Sequence, residues 1–283
     1  MGIYSHTDVQ RAKQGFTIIE TMLVLSITGI LIAGLLVGLG SSISNQRYQD
    51  AVSSLKNMIQ DQYSQINNVT NDRSGDWTCS SDAAPVATEV KNGGVAPGQS
   101  NCVLLGRYVG IVDDQITTAT VVGYPNPGAT SDGTISSIKS SYTLGISTSS
   151  IEKSSLEWGA RIAWPTSGGG YKPPSSTTPT RSLAVLMIRS PENGTSFTFT
   201  SDTVNQVDGS SSKALSSALS SMMEPSLTAT NPGRGARTVC LDPGGFNVPE
   251  KLAVYIGAGA SGPGSIEIRS KALTAAAGGD SQC

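Results

Sequence analysis

Histidine is nearly missing from this chain: one residue, His6, in 283. A Ser-His-Asp or Cys-His centre would have only that imidazole to draw on. A zinc site is equally short of ligands, because the four cysteines form no CxxC pair. A Walker loop, an HExxH helix and a dinucleotide-binding glycine fingerprint are also absent. The sequence therefore names no catalytic residue, no metal ligand and no cofactor. Charge is scarce as well: 14% of residues, with a net charge of −2. No basic surplus announces nucleic acid as a partner. Aromatics are only 5%, whereas glycine is abundant at 32 residues. Serine and threonine crowd the C-terminal three quarters, which reads as a β-rich, loop-rich exterior body rather than a charged cytosolic enzyme. The length suits one sizeable domain with an extra element, or two small domains.

Against this background one run stands out, KQGFTIIETMLVLSITGILIAGLLVGL at 13–39. From Phe16 to Leu39 the only charge is Glu20. As a helix this stretch is about 36 Å long, against roughly 30 Å for the hydrocarbon core of a bilayer. Arg11 and Lys13 precede it, and the next basic residue is Arg47. That asymmetry puts the N-terminus in the cytoplasm and the body outside. The run is too long for a secretory signal peptide. A plain signal anchor fits the length but leaves Glu20 unexplained, since an ionisable group in a membrane segment needs a partner. Cleavage between Gly15 and Phe16 would supply one. The new α-amino group on Phe16 is charged at neutral pH, and Glu20 lies one helical turn away. A carboxylate there also complements the helix dipole. In a stack of identical helices it would neutralise a neighbour's terminus and set the axial register.

At these residues, RAKQGFTIIETMLVLSITGILIAG, the sequence resembles the type IV pilin family, which includes the pseudopilins of type II secretion. The resemblance covers at most the first quarter of the chain. It implies that Gly15 ends a leader (1–15), that a prepilin peptidase cuts after it and N-methylates Phe16, and that Glu20 serves assembly. It further implies other pilin subunits, the cytoplasmic membrane and a pilus assembly platform as partners. The chain would be single-pass in that membrane with its head outside, and later part of an extracellular pilus or a periplasmic pseudopilus. Many pilins carry a proline about twenty residues into the mature helix. Here Gly29, Gly34, Gly38 and Gly40 stand instead, offering local melting or, through the Gly34/Gly38 GxxxG pair, a close helix contact.

Beyond the apolar run, 41–68 has no glycine or proline. Its apolar residues Tyr48, Ala51, Val52, Leu55, Met58, Ile59, Tyr63 and Ile66 recur at steps of three and four. The spacing predicts one helix from Phe16 to about Asn67, its membrane half at 16–39 and its second half packed on a sheet. Residues 69–283 form the head. Turn formers over 71–102 predict a loop. Strands are expected at 103–112, 117–124, 138–146, 156–164, 181–190, 196–200, 252–257 and 265–269, with 181–190 central. A surface helix is expected at 211–223 and a flexible loop at 165–180. The fold class is α+β: a long N-terminal helix on an antiparallel sheet.

Cys79, Cys102, Cys240 and Cys283 are an even set behind a membrane segment, which suggests disulfides in an oxidising compartment. Three connectivities are open. Loop closure favours 79–102 and 240–283, although Cys240 is equally free to pair elsewhere. Weaker signals are surface features by default. Asp113/Asp114, Asp202 and Asp208 are candidates for calcium, and Asn68 and Asn193 open glycosylation sequons. Arg234, Arg237, Lys251, Arg269 and Lys271 could make a basic patch for DNA, though Glu250 and Glu267 interrupt it. The resemblance thus implies a filament subunit, and the size of the head, set against the family's often smaller major pilins, implies a minor pilin or pseudopilin. A tip-located adhesive or DNA-binding pilin, and the major pilin, are the alternatives.

Overall fold

A computed structural model describes residues 17–67, 77–79, 87–89, 103–147, 150–163, 182–201, 203–205, 207, 212–223, 236–243, 248 and 250–270. The chain divides into two units, residues 1–44 and 45–283. One helix, α1 (Ile18–Asn67), supplies the first unit and enters the second.

In the first unit α1 is apolar and bare. It is long and apolar enough to cross a membrane, with a mean hydropathy of 2.5 over its most apolar window. Its hydroxyl side chains turn back onto the helix. Ser26 donates to the Met22 carbonyl at 2.8 Å, Ser41 to Gly38 at 3.0 Å and Ser44 to Gly40 at 3.0 Å. Thr28 does the same toward Val24. A polar group satisfied by its own helix can enter lipid without an orphaned donor.

In the second unit the periodic face of α1 becomes the spine of the core. Tyr48, Ala51, Val52, Leu55, Ile59, Tyr63 and Ile66 are all buried. They pack against two antiparallel sheets. The larger is built from β3 (Val103–Val112), β4 (Gln115–Pro125), β5 (Tyr142–Ile146), β6 (Glu152–Ser155), β8 (Ser182–Arg189) and β9 (Ser196–Ser201). Its order is β5-β4-β3-β8-β9, with β6 also on β4. The smaller has the order β12-β11-β10-β7: β7 is Arg161–Ala163, β10 Arg237–Asp242, β11 Leu252–Ile256 and β12 Ile266–Ser270. β1 (Trp77–Cys79) and β2 (Ala87–Glu89) pair with each other.

Strand β8 shows why the larger sheet is buried on both sides. Leu183, Val185 and Met187 join the cluster around α1. Ala184, Leu186 and Ile188 join a second cluster, formed with α2 (Ile135–Ser141) and α3 (Ser212–Met222). A strand with helices on both faces reads as a continuous apolar run rather than an alternation, and β8 is the interior strand the sequence predicted. Between Leu104 and Gly106 the β3–β4 register shifts, and a Cβ at position 106 would overlap the Met187 carbonyl. Glycine is required there by the close approach of β8.

Several expectations are corrected. Among the described residues the head has two principal sheets where one was expected. The stretch 138–146 is not all strand: 135–141 is α2, because Thr134 caps it, accepting from the Ser137 amide at 3.3 Å, and Ile135 and Ile138 are buried three residues apart. Among the described residues of 156–164 only 161–163 is strand, preceded by a 3-10 turn at Glu157–Gly159. Part of 71–102 is β1 and β2 rather than loop. The helix expected at 211–223 is found as α3, and Leu219 and Met222 of its expected apolar face are buried in the second cluster. β10 had no counterpart among the expected strands. The loop expected at 165–180 lies outside the described residues.

Candidate functional site

Thr17 and Glu20 define the start of α1. The Glu20 amide donates to Thr17 Oγ1 at 3.3 Å, and the Thr21 amide donates to the Thr17 carbonyl at 3.1 Å. Thr17 is therefore the N-cap and Glu20 the third helical residue, the T-x-x-E pattern of a capping box. The T-x-x-E pattern overlaps the Phe16-to-Glu20 spacing and is legible in the sequence. Glu20 lies in the first turn, where the exposed amides and the helix dipole favour a carboxylate. Gly15 and Phe16 lie outside the described residues.

Apart from Thr17 and Thr21, the helix around Glu20 offers apolar surface. Ile18 is 77% exposed, Leu25 72% and Ile30 73%. A Cβ at Gly29, Gly34, Gly38 or Gly40 would meet nothing within 4 Å. No contact among the described residues calls for these glycines, and α1 runs through them unbroken. The arrangement is a one-charge apolar rod. It can bind lipid or other helices. Among the described residues no group of three or more His, Cys, Asp or Glu side chains is placed to hold a metal.

The secondary candidates in the head disperse. Asp113 pairs with Arg161, with 3.5 Å between Oδ2 and Nη1. Asp202, Asp208, Asn68, Arg234 and Lys271 lie outside the described residues. Asn193 sits exposed in the β8–β9 turn, its Oδ1 accepting from the Thr195 amide at 2.9 Å. Arg237 is removed from any surface patch: it is 4% exposed, and its Nε donates to Thr200 Oγ1 at 3.4 Å. Arg269 is committed to Glu267 at 2.9 Å and stacks on Tyr255, 3.3 Å from the ring centroid. Cys240 is buried in β10 and disulfide-bonded. The expected pairings, 79–102 and 240–283, each involve a cysteine outside the described residues.

Polar groups that sequence reasoning missed clamp α1 into the head. Tyr48 donates to the Leu241 carbonyl at 2.9 Å and accepts from the Leu252 amide at 2.8 Å. The β10–β11 ladder ends at Cys240↔Ala253, and the phenol stands in for the next rung. Tyr63 shares a 2.6 Å hydrogen bond with Thr198 on β9. Arg107 on β3 donates from Nε to Gln62 Oε1 at 2.8 Å and from Nη1 to Thr120 Oγ1 at 2.7 Å. Burial pulls this guanidinium below its ordinary pKa, opposed by Glu152 and Asp61.

Comparison with known proteins finds one correspondence. Residues 10–36 match the family model of the prokaryotic N-terminal methylation motif. No curated protein and no solved structure matches the chain. The matched residues span the Gly15–Phe16 junction, the capping box and most of the apolar run.

Proposed function

We propose, from the premise that this chain is a type IV pilin-like or pseudopilin precursor, that it is a structural subunit of a filament and acts as a minor pilin or pseudopilin rather than an enzyme. The observation that carries this reading is an apolar helix whose single carboxylate lies at its capped first turn, inside the matched motif. Processing would follow Gly15 and leave Phe16 as an N-methylated ammonium. While the subunit waits in the cytoplasmic membrane, Glu20 has its own terminus within one turn to neutralise. On leaving lipid, the bare face of α1 needs a new apolar environment, and the same face of other pilin subunits provides it. Inside such a bundle, an ammonium and a carboxylate from neighbouring copies would pair in a dry core. Removing one partner of a buried pair costs about 3–5 kcal/mol, because the other charge is left uncompensated. Glu20 would thereby select the axial register at which copies add.

The test is mass analysis of the N-terminus of chains recovered from sheared surface filaments, with Glu20→Ala beside the wild type. The expected result is a chain beginning at N-methyl-Phe16, with the variant processed and absent from filaments. Recovery of chains that retain Met1 to Gly15, or assembly of Glu20→Ala at wild-type yield, would defeat the proposal. The share of this subunit in the filament then separates a minor from a major role.

A further inference from the structure

Outside α1, two large apolar side chains are exposed among the described residues, Val112 and Trp158. Trp158, the larger, is 49% exposed. It stands in a turn that the fold holds fast. The amides of Leu156 and Ile162 donate to the carbonyls of Asp114 at 2.7 Å and Asp113 at 3.0 Å, so both flanks of the 3-10 turn are tied to the β3–β4 turn. The Trp158 backbone is left-handed, with φ 59° and ψ 23°. For a bulky residue that conformation is an outlier. Strain of this kind persists where the surroundings enforce it and clusters at functional sites. Here it does not serve the core, because the indole belongs to neither buried cluster. One ring face carries the Arg47 guanidinium, 4.9 Å from Cζ to the ring centroid. The exposure of the residue therefore falls on the opposite face and the edge. The next residue, Gly159, has a positive φ of 68°, and a Cβ there would meet nothing within 4 Å. The approach past that residue is clear.

The surroundings limit what such a platform takes. A stable protein partner needs about 800 Å² from each side around an apolar centre. One indole and one valine, among the described residues, fall short of that. The charges in the same two turns are mixed. Glu157 is exposed next to Trp158, and Asp113 pairs with Arg161 at 3.5 Å while their side chains stay about half exposed, at 42% and 53%. No single sign dominates, so neither a phosphate nor an ammonium is selected. A neutral ligand with one apolar face and a rim of hydroxyls suits all of these features. A pyranose has that form. Its C–H bonds carry partial positive charge toward the negative face of an aromatic ring. Its hydroxyls donate and accept, and carboxylate and guanidinium groups answer both needs. An aromatic ring on a pinned turn also loses little freedom on binding.

We propose that Trp158 is the stacking platform of a saccharide site on the head, taking the C–H face of a neutral hexopyranose while Glu157 and the Asp113–Arg161 pair bond its hydroxyls. The residues of the site all belong to the unit 45–283. The site adds a binding function to a structural subunit and stands apart from how that subunit assembles. An open platform of one ring binds weakly, with a dissociation constant on the order of 1 mM for a single sugar ring.

The experiment uses the full chain in micelles of lauryldimethylamine oxide, a detergent without sugar. Trp77→Phe and Trp164→Phe leave Trp158 as the fluorescent reporter. Iodide should reach the indole before any sugar is added. Titration with methyl β-glucoside or methyl β-galactoside should then give, for at least one of them, a saturable blue shift and protection from iodide, half complete at roughly 1 mM. Saturation-transfer NMR on the chain with all three tryptophans gives a second readout, strongest at the sugar's ring C–H protons. Trp158→Asn tests the platform, because asparagine tolerates a positive φ and the head should keep its circular dichroism. That variant should bind at least about tenfold more weakly, whereas Trp158→Phe keeps an aromatic face and should retain part of the affinity. No saturable response to either sugar up to about 100 mM, far above the expected constant, overturns the site. Equal binding by Trp158→Asn overturns it as well. So does an indole already shielded from iodide, whether by the micelle or, as protein concentration rises, by a second copy.

Discussion

Tyr48 illustrates how much a single hydroxyl can decide in this head. It is 1% exposed and replaces a rung of the β10–β11 ladder. Phenylalanine would keep the ring's packing and orphan a partly buried amide and a buried carbonyl. Leaving such groups unsatisfied costs about 1–3 kcal/mol. Tyr48→Phe should therefore lower the urea midpoint of the head with an unchanged slope. A midpoint equal to wild type would show that water or another group fills the rung. At the same scale, Thr17 gives Glu20 a role that precedes any assembly, because the T-x-x-E box organises the first turn of α1. Glu20→Gln retains capping capacity but loses the charge, so it separates the cap from the pairing.

At the scale of elements, α1 is the piece on which both sheets depend. Its apolar face contributes to the cluster with β3, β8, β7, β10 and β11, and its polar residues fix its rotation. Arg107 and Gln62 carry the clearest test, as both are nearly buried, at 8% and 4% exposure. Arg107→Met should cost about 1.5–3 kcal/mol, since a hydrogen bond from a charged donor is lost and Gln62 is stranded. Adding Gln62→Leu should recover most of that loss, because replacing both partners with apolar groups is close to neutral. Equilibrium unfolding of the two single variants and the double decides it. A double variant as weak as the sum of the singles would mean the pair is not coupled.

For the whole molecule, the buried tyrosines predict an alkaline limit. Burial raises the Tyr108 phenol to about 12, opposed by its hydrogen bond with the Asn205 backbone. Burial also raises Tyr48 and Tyr63, with hydrogen bonds to Leu252 and Thr198 opposing. In the unfolded chain these groups ionise near pH 10. The folded state binds their protons more tightly, so their contribution is complete below about pH 10 and is lost as pH climbs toward about 12. For Tyr108 alone this is on the order of 2–3 kcal/mol. Tyrosinate absorbance should thus rise in two stages, an early one from accessible phenols and a late one coincident with loss of circular dichroism. Full ionisation of all eight tyrosines while the head stays folded would contradict the burial.

By itself the sequence determined whatever depends on neighbours along the chain. The apolar run, the single carboxylate and its spacing from Phe16 are local facts, and so is the three-four periodicity that placed Tyr48 through Ile66 on one face. β8 was legible because burial on both faces leaves an unbroken apolar run. Tertiary structure decided what depends on partners far away. RTVCLD, at 237–242, carries a charge at each end and gives no strand pattern of its own. It becomes β10 because β7 and β11 pair with it on either side. That pairing buries Val239 and Leu241 against α1, splits the head into two sheets and takes Arg237 out of the solvent. The corner that joins Arg47 to Trp158 unites residues more than a hundred positions apart, and only long-range closure brings them together.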